Sequence, residues 1–208
     1  VILRSAEIRN RMDEGILLRT VSSMMLDLPD SEWDLMTFDG AWARERNEHR
    51  RPLAPGVAYV DSKLGFSSSE HNSLVFLLRS NTDDSHGEAI AINQIYSGNH
   101  QERVEVSPFS LVRVIASINP FGFGWKLGKE ESFRSPETIL SYSSAGLDKL
   151  SASLHCFAER YIVRSKYGQM DRPIAINNWE ATYFDFTEEK IMKLASTAAS
   201  AGIELFVL

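Results

Sequence analysis

Asn177, Asn178, Trp179 and Glu180 stand in unbroken succession behind a short apolar run, Ile174-Ala-Ile176, which Pro173 opens. Two carboxamides offer donors and acceptors to hydroxyl groups, and a carboxylate accepts hydrogen bonds or works as an acid or base. An indole offers a flat face for stacking. The apolar run reads as a buried strand begun by proline. Polar and amphipathic groups delivered at the C-terminal end of such a strand are poor core material. That is where α/β sheets and barrels build their sites. A plainer reading has the two asparagines capping backbone groups. For Glu180 the plainer reading, an arginine partner that fixes the loop, is the better one.

Gly40-Ala-Trp-Ala-Arg-Glu-Arg46 is a second place where chemistry can reside. Trp42 follows a glycine break and is ringed by charge. It either stacks on a sugar face or packs between strands while the charges form a solvated edge. Other constellations carry less. His155 and Cys156 are neighbours on a helical stripe, and adjacent side chains on a helix point about 100° apart. His49, His71, His86, His100 and His155 show no metal-ligand spacing, so no metal site is expected. Gly122-Phe-Gly-Trp-Lys-Leu-Gly128 has one residue too many for a dinucleotide loop and lies in β territory. Core packing is the better reading of its alternating aromatics Phe121, Phe123 and Trp125.

Residues 1 to about 143 supply many short extended runs. Candidates are 1–10, 15–28, 33–47 with a break at Asp39-Gly40, 57–66, 73–79, 88–96, 101–106, 111–118 and 138–142. The turn signals between them include Pro55-Gly56, Ser97-Gly-Asn99 and Asn119-Pro120. The first two runs are joined by a turn ending in Gly15. This spacing indicates an antiparallel sandwich. From Gly146 to about Ser165 the period becomes helical, with Leu147, Leu150, Leu154, Phe157, Ala158 and Tyr161 on one stripe. Lys166–Asp171 is a polar connector. After the strand at Ile174–Ile176, either Asp185 with Glu188 or Thr187 starts a helix that runs to about Ala201 and stops at Gly202. Ile203–Leu208 is a second short strand. A parallel pair of this kind leaves edges and a face uncovered, so the chain reads as a piece of a longer protein.

The composition is that of an ordinary globular protein: 208 residues, 43% hydrophobic, 24% charged. A net charge of −6 argues against nucleic acid as a partner, and no apolar run is long enough to span a membrane. Cys156 is the single cysteine, so no internal disulfide can form, which allows a reduced cytoplasmic setting.

Taken together, Arg172–Phe186, Gly202–Leu208, Gly40–Arg46, Gln94–Asn99 and Ile118–Phe121 resemble bacterial α-galactosidases of glycoside hydrolase family 36, in the right order and over most of the chain. The resemblance implies a mainly β fold. An antiparallel β-super-sandwich would cover 1–144, a linking helix and connector 145–170, and the first βαβ unit of a catalytic (β/α)8 barrel 171–208. It implies a retaining enzyme acting on melibiose or raffinose without a cofactor, in which Trp42 and Trp179 line the galactose pocket. The family chain would continue past Leu208 into Asp-Asp-Gly-Trp and then to the catalytic aspartates. No catalytic residue is therefore expected here, and the 208 residues alone should be inactive. A cytoplasmic homotetramer with neighbouring subunits lending site residues is also implied. The alternative is a non-catalytic carbohydrate-binding or oligomerisation module that uses Trp42 and Trp179 as stacking platforms.

Overall fold

A computed structural model describes residues 1–165, 168 and 170–208. Lys166, Tyr167 and Gln169 of the expected connector lie outside the described residues. The chain divides into two compact units, Val1–Ala158 and Glu159–Leu208.

The first unit holds fourteen strands and a helix. The strands are β1 (Ile2–Arg4), β2 (Glu7–Arg9), β3 (Ile16–Leu18), β4 (Ser22–Leu28), β5 (Asp34–Ala41), β6 (Arg44–Pro52) and β7 (Gly56–Asp61). They continue with β8 (Leu74–Leu78), β9 (Ala89–Ile95), β10 (His100–Val106), β11 (Val112–Ile118), β12 (Trp125–Leu127), β13 (Ser132–Arg134) and β14 (Glu137–Ser143). Helix α1 spans Gly146–Phe157 and runs on into a π-helical stretch over Ala158–Ile162. A six-stranded antiparallel sheet has the order β1-β14-β9-β8-β5-β6, and a four-stranded one the order β4-β11-β10-β7.

The central strands read as continuous apolar runs because both their faces are covered. On β8 and β9, Val75, Leu77, Ile90 and Ile92 join Val104, Val112 and Val114 of the four-stranded sheet in one core. The alternate residues Phe76, Leu78, Ala89 and Ala91 face the other way and pack with Leu150 of α1. The small alanines of β9 leave room for the helix on that face. No side chain caps α1; instead Gly146, Leu147 and Asp148 donate their N–H groups to the carbonyls of Gly87, Asp83 and Asp84.

In this unit three expectations need correction. The first two extended runs do not pair with each other: β2 pairs with β13 and β3 with β12, each more than a hundred residues away in sequence. The extended run is not broken at Asp39-Gly40. Both residues lie in β5, which carries a bulge between Asp39 and Ala41, and the chain reverses at Trp42-Ala43. Glycine is required at position 40 because a Cβ there would lie 2.7 Å from the Arg44 carbonyl oxygen. The aromatics around Gly122 are not core either. Phe121 and Trp125 are exposed, and Phe123 and Trp125 gather at the surface on Phe133, with ring centroids 6.1 and 5.1 Å away.

In the second unit, β15 (Ala175–Asn177) and β16 (Leu205–Val207) form a parallel pair. Between them lie a single turn, α2 (Trp179–Thr182), and the helix α3 (Glu188–Ser200). Thr187 is the N-cap: its hydroxyl accepts from the Lys190 N–H at 3.3 Å. Gly202, at φ +88°, ends the helix. The strand expected to be buried is not, with Ile174 59% and Ile176 43% exposed. Two short strands and one helix do not carry enough apolar surface to enclose them.

Candidate functional site

The two tryptophans singled out in the sequence lie in different units. In the first, β5 and β6 form a hairpin with Trp42 at its tip, 91% exposed. Trp42 is therefore not packed between strands. All nine residues of β6 are exposed, and its row of charged side chains guards an open sheet edge. Local bonds hold the tip. Asn47 donates from Nδ2 to the carbonyls of Arg44 at 2.8 Å and Asp39 at 3.3 Å, and the Glu45 carboxylate accepts from the Ala43 N–H at 3.1 Å.

A groove of about 480 Å³ opens at the base of this hairpin, where β5 and β6 face β7. Thr37, Asp39, His49, Arg51, Tyr59, Asp61 and His71 line it. His71 Nδ1 is 2.6 Å from Asp39 Oδ1, and the Thr37 hydroxyl donates to Asp39 Oδ2 at 3.1 Å. Asp61 accepts from Lys63 at 3.0 Å and from Asn119 at 3.1 Å, and these contacts pull its carboxyl below the usual range against the upward push of burial. Among the described residues, no group of three or more His, Cys, Asp and Glu side chains is placed to hold a metal ion.

In the second unit, Trp179 opens α2 directly behind β15 and is 45% exposed. The ring of Phe184 meets it edge-on at 4.9 Å and that of Tyr183 at 5.5 Å. Phe184 is itself 85% exposed. The asparagines take the plainer role. Asn178 is buried and donates to the Thr182 hydroxyl at 2.8 Å, while Asn177 Oδ1 accepts from the Trp179 N–H at 3.0 Å. Both aim the indole. Glu180 supports the loop through Tyr183, whose hydroxyl donates to it at 3.3 Å. Sequence reasoning passed over Tyr183 and Phe184. Their signal was two adjacent aromatics just after a helical turn, too short a stretch to bury both.

The element order is a β-sandwich unit and then a strand-helix-strand unit with aromatics at the strand's C-terminal end, and comparison with known proteins gives the family. Residues 1–128 match the glycosyl hydrolase family 36 N-terminal domain, and residues 132–208 match melibiase. The chain belongs to glycoside hydrolase family 36. It is 44% identical over all its 208 residues to alpha-galactosidase AgaA of Geobacillus stearothermophilus, and 38% identical to an alpha-galactosidase of Lactobacillus acidophilus. In each case it spans 28% of the relative's length. The crystal structure of an AgaA variant in complex with raffinose superposes with a TM-score of 0.96 at 43% identity, over 99% of this chain and 29% of that one. Among the described residues, no helix is long and apolar enough to cross a membrane.

Proposed function

We propose that this chain is part of a retaining α-galactosidase that removes terminal α-galactosyl residues from oligosaccharides such as melibiose and raffinose. The observation that carries the reading is the parallel β15–β16 pair, with Trp179 presented at the C-terminal end of β15, in a chain 44% identical throughout to an alpha-galactosidase. We read residues 1–144 as the sandwich domain, 145–170 as the link, and 171–208 as the opening βαβ unit of the catalytic (β/α)8 barrel.

In this mechanism one carboxylate attacks the anomeric carbon while a carboxylic acid protonates the leaving oxygen. Water then releases the sugar with the second group acting as base. The Asp-Asp-Gly-Trp motif of the family does not occur in these 208 residues. This chain contributes binding: Trp42 and Trp179 each contact the sugar, their apolar faces matching its C–H surface. Their exposure, the bonds from Asn47 that hold the hairpin tip beside Trp42, and the bond from the Trp179 N–H to Asn177 support that role. Asn177 and Asn178 hold Trp179 at its angle. We further read the whole protein as a cytoplasmic homotetramer.

The test is kinetic. In the longer enzyme, Trp179→Ala should lower kcat/KM for a nitrophenyl α-galactoside about ten-fold, roughly 1.4 kcal/mol. The unaltered 208-residue chain should show no turnover. Unchanged kinetics in the variant would make Trp179 a packing residue and remove the role assigned to it.

A further inference from the structure

The hairpin that carries Trp42 holds unfavourable backbone geometry in a short space. Ala43 and Arg46, neither of them glycine, sit at φ +62° and +60°, and Gly40 is pressed against Arg44. Conformations of this kind persist only where surrounding contacts over-determine them. Besides the hairpin's own bonds from Asn47 and Glu45, contacts reach it from a second segment. The segment 70–72 lies along the end of β5: the Gly40 N–H donates to the Glu70 carbonyl at 2.9 Å, and the Asn72 N–H to the Phe38 carbonyl at 3.0 Å. Between these two bonds, the His71 ring meets the Asp39 carboxylate at 2.6 Å.

His71 is held in turn from below. Its carbonyl oxygen lies 3.2 Å from His100 Nε2, and His100 Nδ1 lies 2.7 Å from Glu102 Oε2. His100 and Glu102 are both wholly buried, and the second oxygen of Glu102 has no hydrogen-bond partner. A buried ionisable pair is a poor way to gain stability, since an apolar pair of the same volume does as well or better. What the pair does provide is direction. The carbonyl of His71 can only accept, so Nε2 must donate to it; Nδ1 then donates to a Glu102 carboxylate from an imidazolium or accepts from a protonated Glu102, and in either form the pair shares one proton. Hydrogen bonds joined through the His71 residue itself thus link the sandwich interior to Asp39, at the bulge of the Trp42 hairpin.

We propose that Asp39 and His71, backed by the buried His100–Glu102 pair, are positioning residues that brace the Trp42 hairpin in the posture needed for sugar contact. The functional half of this rests on the α-galactosidase reading; the brace does not.

The experiment is ¹⁹F NMR of the 208-residue chain labelled with 5-fluorotryptophan. Its four tryptophans give four resonances, and Trp42→Phe assigns that of Trp42. Asp39→Asn and His71→Ala should each displace or broaden the Trp42 resonance, while that of Trp33, in the sandwich core, stays in place. His71→Asn keeps a donor near the position of Nδ1 and should restore the wild-type resonance. Glu102→Gln should move it in the same direction as His71→Ala. If His71→Ala also moves Trp33, the near-isosteric Asp39→Asn decides. An unmoved Trp42 resonance in both variants, or no recovery with His71→Asn, overturns the proposal. No sugar is present in this measurement, so it stands apart from the kinetics that test the α-galactosidase reading.

Discussion

In the N-terminal unit, Val75, Leu77, Leu78, Ala89, Ala91, Ile92, Val114 and Leu150 are each fully buried. In the C-terminal unit, among the described residues, the one buried apolar side chain is Ala198, at 9%, beside the buried polar groups Asn178 and Thr182. The first unit is specified by burial on both faces of a sheet, which local sequence signals and long-range packing both require. The second is specified almost wholly by local chemistry: a proline before a strand, a threonine cap, a glycine stop, and asparagines that close a turn. The residues proposed to meet sugar divide along the same line. Trp42 stands on a hairpin rooted in a packed core, and Trp179 on a turn held by its neighbours' side chains.

The comparison breaks most visibly under core truncation. Leu77→Ala should cost about 3 kcal/mol, because its site lies between the two sheets and is closed on all sides. Thermal unfolding followed by near-ultraviolet dichroism of Trp33 reads this. The same measurement on Met192→Ala, an exposed position of α3, should show no change. Comparable losses in the two variants would show that the second unit shares the cooperativity of the first.

A smaller effect sharpens the comparison through pH. Burial raises the pKa of Glu102. Burial works against charge on His100, but the hydrogen bond and charge of Glu102 outweigh it, and the pKa of His100 is raised as well. The native pair therefore binds more protons than the unfolded chain. Its contribution to stability is complete below the ordinary glutamate range, about pH 4, and is lost as pH rises through the raised value of His100. The slope is at most about 1.4 kcal/mol per pH unit for one proton. The difference in Tm between the wild type and the double variant His100→Gln/Glu102→Gln should shrink as pH rises from the ordinary glutamate range through the raised value of His100. A constant difference would mean that the pair holds no extra proton.

Reading ahead from residue types succeeds where one local pattern has one structural meaning. The extended runs at 73–79 and 88–96 are strands β8 and β9, and Gly202 ends a helix, as their local patterns indicate. The reading fails where the deciding partner is remote. Nothing in Glu7–Arg9 says that it pairs with Ser132–Arg134, since three residues carry no register information. Gly40 was misplaced because glycine marks bulges as well as turns, and the difference lies in how closely Arg44 approaches. At the sites, the two tryptophans were visible as large apolar groups set among charges. The Asp39–His71 contact joins residues 32 apart, and the buried Glu102 sits in an alternating strand where a carboxylate normally faces water. Neither has a local signature.

The smallest effect bears on whether the second unit rests on local chemistry at all. Thr187 takes an extended backbone, φ −121° and ψ 162°, and its hydroxyl accepts one of the four N–H groups that the first turn of α3 leaves unpaired. Glu188 and Glu189 add negative charge at the same end, where the helix dipole is positive. Thr187→Ala should destabilise α3 by about 1 kcal/mol, and amide exchange over 188–193 should speed up roughly five-fold, the kinetic equivalent of that loss. Thr187→Ser should leave exchange nearly unchanged, because the hydroxyl is retained. Exchange in the β8 and β9 amides, which belong to the other unit, should not respond to either change. If Thr187→Ala leaves α3 unaltered, packing rather than capping holds this helix, and the contrast between the two units is one of degree.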